Sequence, residues 1–556
     1  MVVPQALAYA SIAGLPSQYG LYASFMGCFV YVLLGSSKDI TLGPTAIMSL
    51  LTAKSSQQVG GVTVPAHAIF LSFMAGVFQV GMGILRLGFL VDFISFPVIN
   101  GFTTSAAITI GFGQVKSLFG LHGVRRPFLE CVHDTFAGLD KTIMLDLGVG
   151  CAGFLILMLL KEWKARHDKK AGAVAKIAWF LGTARNAVVV ILAGLFAYGM
   201  LKGQVVQPCH KKGPFDRSCI TVVGDLPGGL PSLEAPDLGL AGDLISSAFV
   251  CAMIGYLESI AIGKAFARQN NYKIDQSQEL VAIGGANILS SFFQSYPITG
   301  SFSRTAVNSA SGVHTPLGGS ITGLVVILAL QYMTSLFYYI PQSALASIII
   351  SSVVTMVDYE SPIIMWKVNP IDLIPYLLSF WLCLILDIKY GILAGVAANV
   401  CIVMYFTARP GHDLLQRSLI PGGTNNYEPT KYYAGMVEHL PNGVAVIRLN
   451  GDLFFPGVAN LKDMIEELHA EVKFKALVLD FAHVQHIDFT AATGMLEIVE
   501  LLQGVDATIA VCNLHIDVSQ VLSRNGALGA VVVCIVRRAA IVCWAMFTVT
   551  NHMEHT

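Results

Sequence analysis

The sequence predicts a polytopic α-helical membrane protein that ends in a small α/β domain, and three observations carry that prediction. Of its 556 residues 54% are hydrophobic and only 12% are charged, whereas an ordinary soluble domain has about 25% charged residues. Apolar runs, several of them near the ~20 residues needed to cross a bilayer, recur from the first residues to about Ala408. Beyond that point the composition changes, and short alternating stretches take turns with helical ones. The formal net charge is −1, so nucleic acid is not an implied partner.

The apolar segments cover 2–13, 19–35, 42–53, 66–88, 92–114, 143–160, 183–202, 240–263, 278–293, 302–311, 317–338, 341–357, 371–387 and 389–407. Several are shorter than about 17 residues and cannot cross the hydrocarbon alone. Two of these are informative: 42–53, opened by TLGPTA, and 302–311, opened by TGSFSRTA. Each begins with Gly, Thr or Ser and then turns helical, as a half-helix does when its N-terminus lies inside the membrane. One is the third segment and the other the tenth. Interrupted segments at corresponding places in two halves predict a seven-plus-seven inverted repeat of the transporter kind.

The connections orient the chain. Lys161, Lys164, Arg166, Lys169, Lys170 and Lys176 lie between the sixth and seventh segments, Lys264, Arg268 and Lys273 between the eighth and ninth, and Arg409 follows the fourteenth. All share one side, taken as cytoplasmic. The 115–142 loop, with Lys116, Arg125, Arg126 and Lys141, is a modest counterexample. The 53 glycines suit close approach of membrane helices. The eleven cysteines show no metal-ligand spacing. Cys209 and Cys219 fall in one polar loop and form a disulfide if it faces an oxidising lumen, or remain free thiols.

Residues 1–408 are thus read as the membrane domain and the Pro-, Gly- and Asn-bearing 409–428 as a linker. In 429–528, VAVIRLNGDLFF, KALVLDFA and ATIAVCNL read as strands, and DMIEELHAEV and ATGMLEIVELLQ as helices. This alternation predicts a cytoplasmic α/β domain. Residues 529–556 form an apolar tail interrupted by Arg537 and Arg538. A fifteenth span is disfavoured there against a splice variant or gene-model error.

Five stretches carry a resemblance: PQALAYASIAGLPSQYGLY at 4–22, TLGPTA at 41–46, DFISFPVINGFT at 92–103, QNNYKIDQSQELVAIGGANI at 269–288 and SYPITGSFSRTAVN at 295–308. They resemble the sulfate permease family, called solute carrier family 26 in animals. TLGPTAIMSL and QNNYKIDQSQEL are most similar to its sodium-independent sulfate anion transporter branch. The 429–528 region resembles that family's STAS domain. The resemblance implies fourteen segments in a core and a gate, with an anion between the ends of the third and tenth. It implies transport of sulfate, chloride, bicarbonate or oxalate, a homodimer in the lipid bilayer, and cytoplasmic regulators acting through the STAS domain. The membrane is expected to be the plasma membrane or a lysosomal or other internal one. Relative to that family the first segment reads as truncated and the tail as atypical.

The residues support an anion site on their own terms. A helix N-terminus presents unpaired N–H groups and about half a positive charge, and two facing ends can hold an anion. TLGPTA supplies Thr45 and Ala46, with Pro44 suited to a first helical turn. TGSFSRTA supplies Ser303 and Arg304. Arg304 is the one cation of this pocket candidate. It reads either as an attractor for the anion or as the partner of a carboxylate. Glu258, in the eighth segment, is the obvious carboxylate. It reads either as a group that takes up a proton as sulfate binds or as a permanent ion-pair partner of Arg304. Gln5 and Tyr9 share one face of the first segment, and their family position makes both lining candidates, against ordinary packing. Asn308, a turn beyond Arg304, reads as a lining group or an interhelical bond.

No Ser/His/Asp set, metal cluster or phosphate loop is present, so enzyme activity and cofactors are not expected. In HIDFTAATG, Thr490 resembles the phosphorylated position of bacterial anti-sigma antagonists. A phosphate there would sit at a helix N-terminus, while plain capping by Asp488 or Thr490 explains the same residues. The expected function is secondary active transport of sulfate, by exchange or proton coupling, through alternating access. The alternatives are a chloride/bicarbonate exchanger or anion channel on the same fold, and a non-transporting regulatory subunit.

Overall fold

The computed structural model describes residues 2–56, 58–59, 62–89, 94–121, 124–125, 127–167, 173–203, 206–209, 219–386, 388–418, 427–429, 437–438 and 444–534. Two compact units divide the chain, 1–399 and 400–556.

Every apolar segment becomes helix, the last of them running from the first unit into the second. In order these are Val2–Ala13, the pair Gln18–Tyr22 and Met26–Leu34, Ala46–Ser55, Pro65–Ile84, Phe96–Leu118, Met144–His167, Arg185–Lys202, Ala241–Gln269, Gln276–Ser291, Phe302–Ala310, Gly318–Tyr332, Gln342–Val353, Leu373–Ile385 and Ile388–Ala408. The third and tenth, with ten and nine residues, reach only about half of a ~30 Å hydrocarbon layer at 1.5 Å per residue. Their shortness follows from the strands that precede them, Leu42–Gly43 and Thr299–Gly300.

Glycine lets the helices close on one another. A Cβ on Gly76 of the fourth segment would stand 2.6 Å from the Gly284 carbonyl of the ninth, and one on Gly284 would stand 2.7 Å from the Gly76 carbonyl. Backbone against backbone at this range leaves no room for a side chain, the small-residue contact favoured where lipid supplies no hydrophobic drive.

Among the described residues three α-helices lie between the apolar segments: Phe128–Ala137, Ala173–Thr183 and Glu360–Val368. They are too short to span and mix charge with apolar residues, so a search for apolar runs passes over them. In the first, Leu129 and Phe136 are exposed while Cys131 and Thr135 are buried. Arg125 anchors this helix, its Nε and Nη2 donating to the two Asp134 oxygens at 2.8 Å each. These bonds hold the Asp134 carboxyl below the usual carboxylate range.

Cys209 and Cys219 are joined by a disulfide. The strand-like stretch after it is tied to the sixth and twelfth segments. Thr221 donates its N–H to Asp146 at 3.2 Å, and its carbonyl accepts from Gln342 at 2.9 Å.

The second unit is built on a sheet in which Val444–Leu449, Ala476–Asp480, Thr508–Cys512 and Val532–Cys534 run parallel. The register aligns Val446 with Val478, Val478 with Ala510, and Ala510 with Val532. Ala476–Asp480 is buried along its whole length, which suits its apolar run Ala476–Leu479, and the buried Asp480 that ends it accepts from Arg448 Nε at 2.7 Å. Helices Phe455–Val472, Phe489–Gln503 and Ile516–Arg524 follow the first three strands. One expectation is corrected here. Within 409–428, read as a linker, His412–Ser418 is a strand, antiparallel to Val444–Leu449 with His412 opposite Leu449. Pro410, Gly411 and the later glycines suggested a linker, but the apolar Leu414 and Leu415 between them pack into the domain. Of the atypical tail, 535–556 lies outside the described residues.

Candidate functional site

The third and tenth segments leave a common ladder. Leu42–Gly43 and Thr299–Gly300 pair antiparallel, Leu42 opposite Gly300 and Gly43 opposite Thr299. One residue further on, Ser301 donates its N–H to the Thr41 carbonyl at 3.3 Å. Both chains then turn into helix, so two N-termini are anchored to one two-residue sheet. Thr45 is extended (φ −125°, ψ 163°) and its Oγ1 accepts from the Met48 N–H at 3.4 Å. Ser301 precedes the tenth helix, also extended, and makes no such cap. That end therefore keeps unpaired N–H groups and their partial positive charge.

The reading of Pro44 is corrected. It does not lie in the first helical turn: the helix begins at Ala46, after the cap Thr45. What Pro44 contributes is its carbonyl, which accepts from Arg304 Nη1 at 2.8 Å. Gly43 before it adopts φ +150°, a region that favours glycine, and a Cβ there would stand 3.1 Å from Arg304 Nη2.

Arg304 is 3% exposed. Its Nε and Nη2 are buried and have no partner within the protein. No ion pair joins it to Glu258, although the two charges act on each other across the site. Glu258 instead accepts from the Thr45 hydroxyl at 3.2 Å, so one threonine caps the third helix and meets the eighth. Glu258 and Ser303 are only partly buried.

Gln5 comes from the first segment and donates to Ser303 Oγ at 3.4 Å. Its other amide atom is buried without a partner. Ser303 Oγ also lies 3.4 Å from Ser301 Oγ. Tyr9, 5% exposed, interacts electrostatically with both Arg304 and Glu258. Ala46 is buried at the first helical position of the third segment. The residues singled out in sequence, Gln5, Tyr9, Thr45, Ala46, Glu258, Ser303 and Arg304, thus converge on one place. Asn308 stands apart: it donates to the Asp39 carbonyl at 2.9 Å and ties the tenth segment to the approach of the third.

Sequence reasoning missed the residues that hold this frame. Asn287 of the ninth segment grips the backbone of Ile298, accepting its N–H at 2.8 Å and donating to its carbonyl at 3.1 Å. Gln79 joins it at 3.0 Å. Glu279, fully buried, accepts from Ser36 N–H and Oγ at 2.8 and 2.7 Å and from the Tyr31 hydroxyl at 3.0 Å. The available signal was a polar or charged residue inside an apolar run, but nothing in the order of residues says whom it meets.

In the second unit Asp488 is the cap of Phe489–Gln503, accepting from the Ala491 N–H at 2.7 Å. Its other oxygen accepts from the Phe455 N–H at 2.9 Å. Thr490 lies exposed in the first turn. Among the described residues no group of three or more His, Cys, Asp or Glu could hold a metal ion.

Comparison with known proteins adds to this geometry. Residues 1–379 match the family model described as the sulfate permease family, and 437–533 match the STAS domain. A sodium-independent sulfate anion transporter of Bos taurus is 40% identical over 97% of this chain and 86% of its own. The chloroplastic sulfate transporter 4.1 of Arabidopsis thaliana is 34% identical over 95% of this chain and 75% of its own. The solved structure of SLC26A9 superposes with a TM-score of 0.84 at 22% identity, over 100% of this chain and 89% of that one.

Proposed function

The chain belongs to the sulfate permease family, and we propose that it is a secondary active transporter carrying sulfate by alternating access. It is an integral multi-pass membrane protein of the anion transporter class rather than an enzyme. The anion would lie between the N-termini of the third and tenth segments. One observation carries this reading: Arg304, buried where two anchored half-helix ends meet, keeps Nε and Nη2 without a protein partner. A buried cation with unused donors is costly unless an anion completes it. The Ser303 hydroxyl and the Gln5 amide offer further donors, suited to a tetrahedral oxyanion.

Sulfate is favoured because the relatives that span most of this chain are named as sulfate transporters. Glu258, bonded to Thr45 and electrostatically coupled to Arg304, would be the group that gains a proton when the dianion enters. The core carrying the third and tenth segments would move against the remaining helices. On the positive-inside reading of the basic connections the α/β domain would lie in the cytoplasm, where it would serve subunit contacts and regulators, with Thr490 a reachable hydroxyl.

The test is radiolabelled sulfate uptake by the full chain in proteoliposomes. Arg304→Ala and Glu258→Gln should each reduce it about ten-fold or more, the scale of a lost bond to a charged group. Wild-type uptake by Arg304→Ala would overturn the site. Chloride current without saturable sulfate uptake would favour the channel.

A further inference from the structure

A chain of hydrogen bonds behind the site has no place in the reading above. Thr299 Oγ1 lies 2.5 Å from the Gly255 carbonyl, to which it must donate. Ser259 Oγ lies 2.7 Å from Thr299 Oγ1, and because the threonine proton is committed to Gly255, the serine is the donor there. Ser259 Oγ in turn accepts the Gly300 N–H at 2.8 Å. The direction of every bond is therefore fixed: Gly300 N–H to Ser259, Ser259 to Thr299, Thr299 to Gly255. Ser259 and Thr299 are fully buried, where such chains strengthen themselves and broken ones are expensive.

Gly255 and Ser259 are one turn apart on the eighth helix, and Glu258 lies between them. The chain therefore clamps that turn to the Thr299–Gly300 strand. That strand pairs with Leu42–Gly43, two residues before Thr45, whose hydroxyl meets Glu258. The contacts close a ring: Thr45, Gly43, Thr299, Ser259, Glu258 and back to Thr45. Inside a rigid ring, the angular setting of the eighth helix decides whether the Glu258 carboxylate faces Thr45 or turns away.

We infer that Ser259 is a positioning residue for anion binding, acting through Glu258 by locking the eighth helix to the strand that opens the tenth. It touches no substrate. A Cβ on Gly300 would stand 3.1 Å from Ser259 Oγ, so a larger residue there would crowd the serine and the glycine lets the strand approach it. The inference rests on the proposed site, and the two can fail separately.

The experiment measures sulfate KM and maximal rate for the full chain in proteoliposomes, with thermal unfolding of each variant as a check on folding. Ser259→Ala should raise KM about five-fold, the scale of one hydrogen bond, with the maximal rate within about two-fold. Thr299→Val, which breaks the same chain from the other partner, should do likewise, and Thr299→Ser should restore the wild-type KM. In a Glu258→Gln background the Ser259→Ala change should add less than about two-fold, because the group it positions is already altered. An unchanged KM in both Ser259→Ala and Thr299→Val overturns the inference. So does a full five-fold effect that persists in the Glu258→Gln background. If Glu258→Gln alone binds and carries sulfate as the wild type does, Glu258 has no part in the proposed site. A KM effect of Ser259→Ala would then also refute action through Glu258.

Discussion

Arg304 Nη1 donates to the carbonyl of Pro44 at 2.8 Å, so a side chain of the tenth segment holds the backbone that opens the third. This contact separates two duties within one guanidinium. Nη1 braces the two half-helices, while Nε and Nη2 have no partner within the protein and are the donors proposed to meet the anion. A lysine keeps the charge but offers a single point donor on a flexible stem. Arg304→Lys is therefore expected to bind sulfate more weakly, with KM raised about ten-fold, yet to exceed Arg304→Ala in uptake. Concentration-dependent uptake of the three proteins checks this. Equal KM for the arginine and lysine forms would remove the brace from the account.

Gly43 is a second place where the frame tolerates no change. Its φ of +150° lies where L-residues rarely settle, and a Cβ would stand 3.1 Å from Arg304 Nη2. Gly43→Ala meets both obstacles, at about 1–3 kcal/mol for the backbone alone. The expected result is loss of most sulfate uptake with the protein still folded, since the strain falls at the donor proposed to meet the anion. Uptake normalised to folded protein decides it.

The sequence carried the membrane segments well because each is an apolar run, most of them long, and lipid demands little else. It also carried the two half-helices, since TLGPTA and TGSFSRTA interrupt apolar runs with residues that cap and turn. What it hid is pairing. Arg304 and Glu258 looked like natural partners, yet Arg304 goes to Pro44 and Glu258 to Thr45. A backbone carbonyl has no signature in a sequence, so the choice between carboxylate and carbonyl was out of reach. The same holds for Ser259, an ordinary serine until Thr299 and Gly300 are brought beside it. The strand His412–Ser418 was hidden differently, by glycines and prolines that outweighed two leucines.

The contact of Gly76 with Gly284 predicts where the membrane unit is easiest to break. Gly284→Leu would drive a side chain into the Gly76 carbonyl and the Val80 N–H, each 2.7 Å from its Cβ. Overpacking of this kind costs about 1–3 kcal/mol, and more against backbone. Thermal unfolding in detergent should fall for Gly284→Leu and for Gly76→Leu. The double variant should lose less than the sum, because either change alone already parts the helices. Additive losses would show that the two glycines do not share one contact.

The α/β unit carries its own acid sensitivity at Asp452. Partial burial by itself would raise this carboxyl, but the N–H groups of His486 and Gln485, at 2.9 and 2.8 Å, together with the His486 ring outweigh it, and the net shift is downward. A carboxyl whose folded value lies below its unfolded one stabilises fully above the unfolded value of about 4. That contribution is lost as the pH falls through the lower folded value. Asp452→Asn removes the charge and with it the pH dependence, so the acid limb of unfolding should become shallower for the second unit. At neutral pH the variant should be less stable by about 1 kcal/mol or less, given the solvent around the site. Circular dichroism of the full chain from about pH 2 to about pH 7, a window that brackets the ordinary carboxylate range, reads both effects. Superimposable acid limbs for the two proteins would show that Asp452 does not hold the 485–486 turn through its charge.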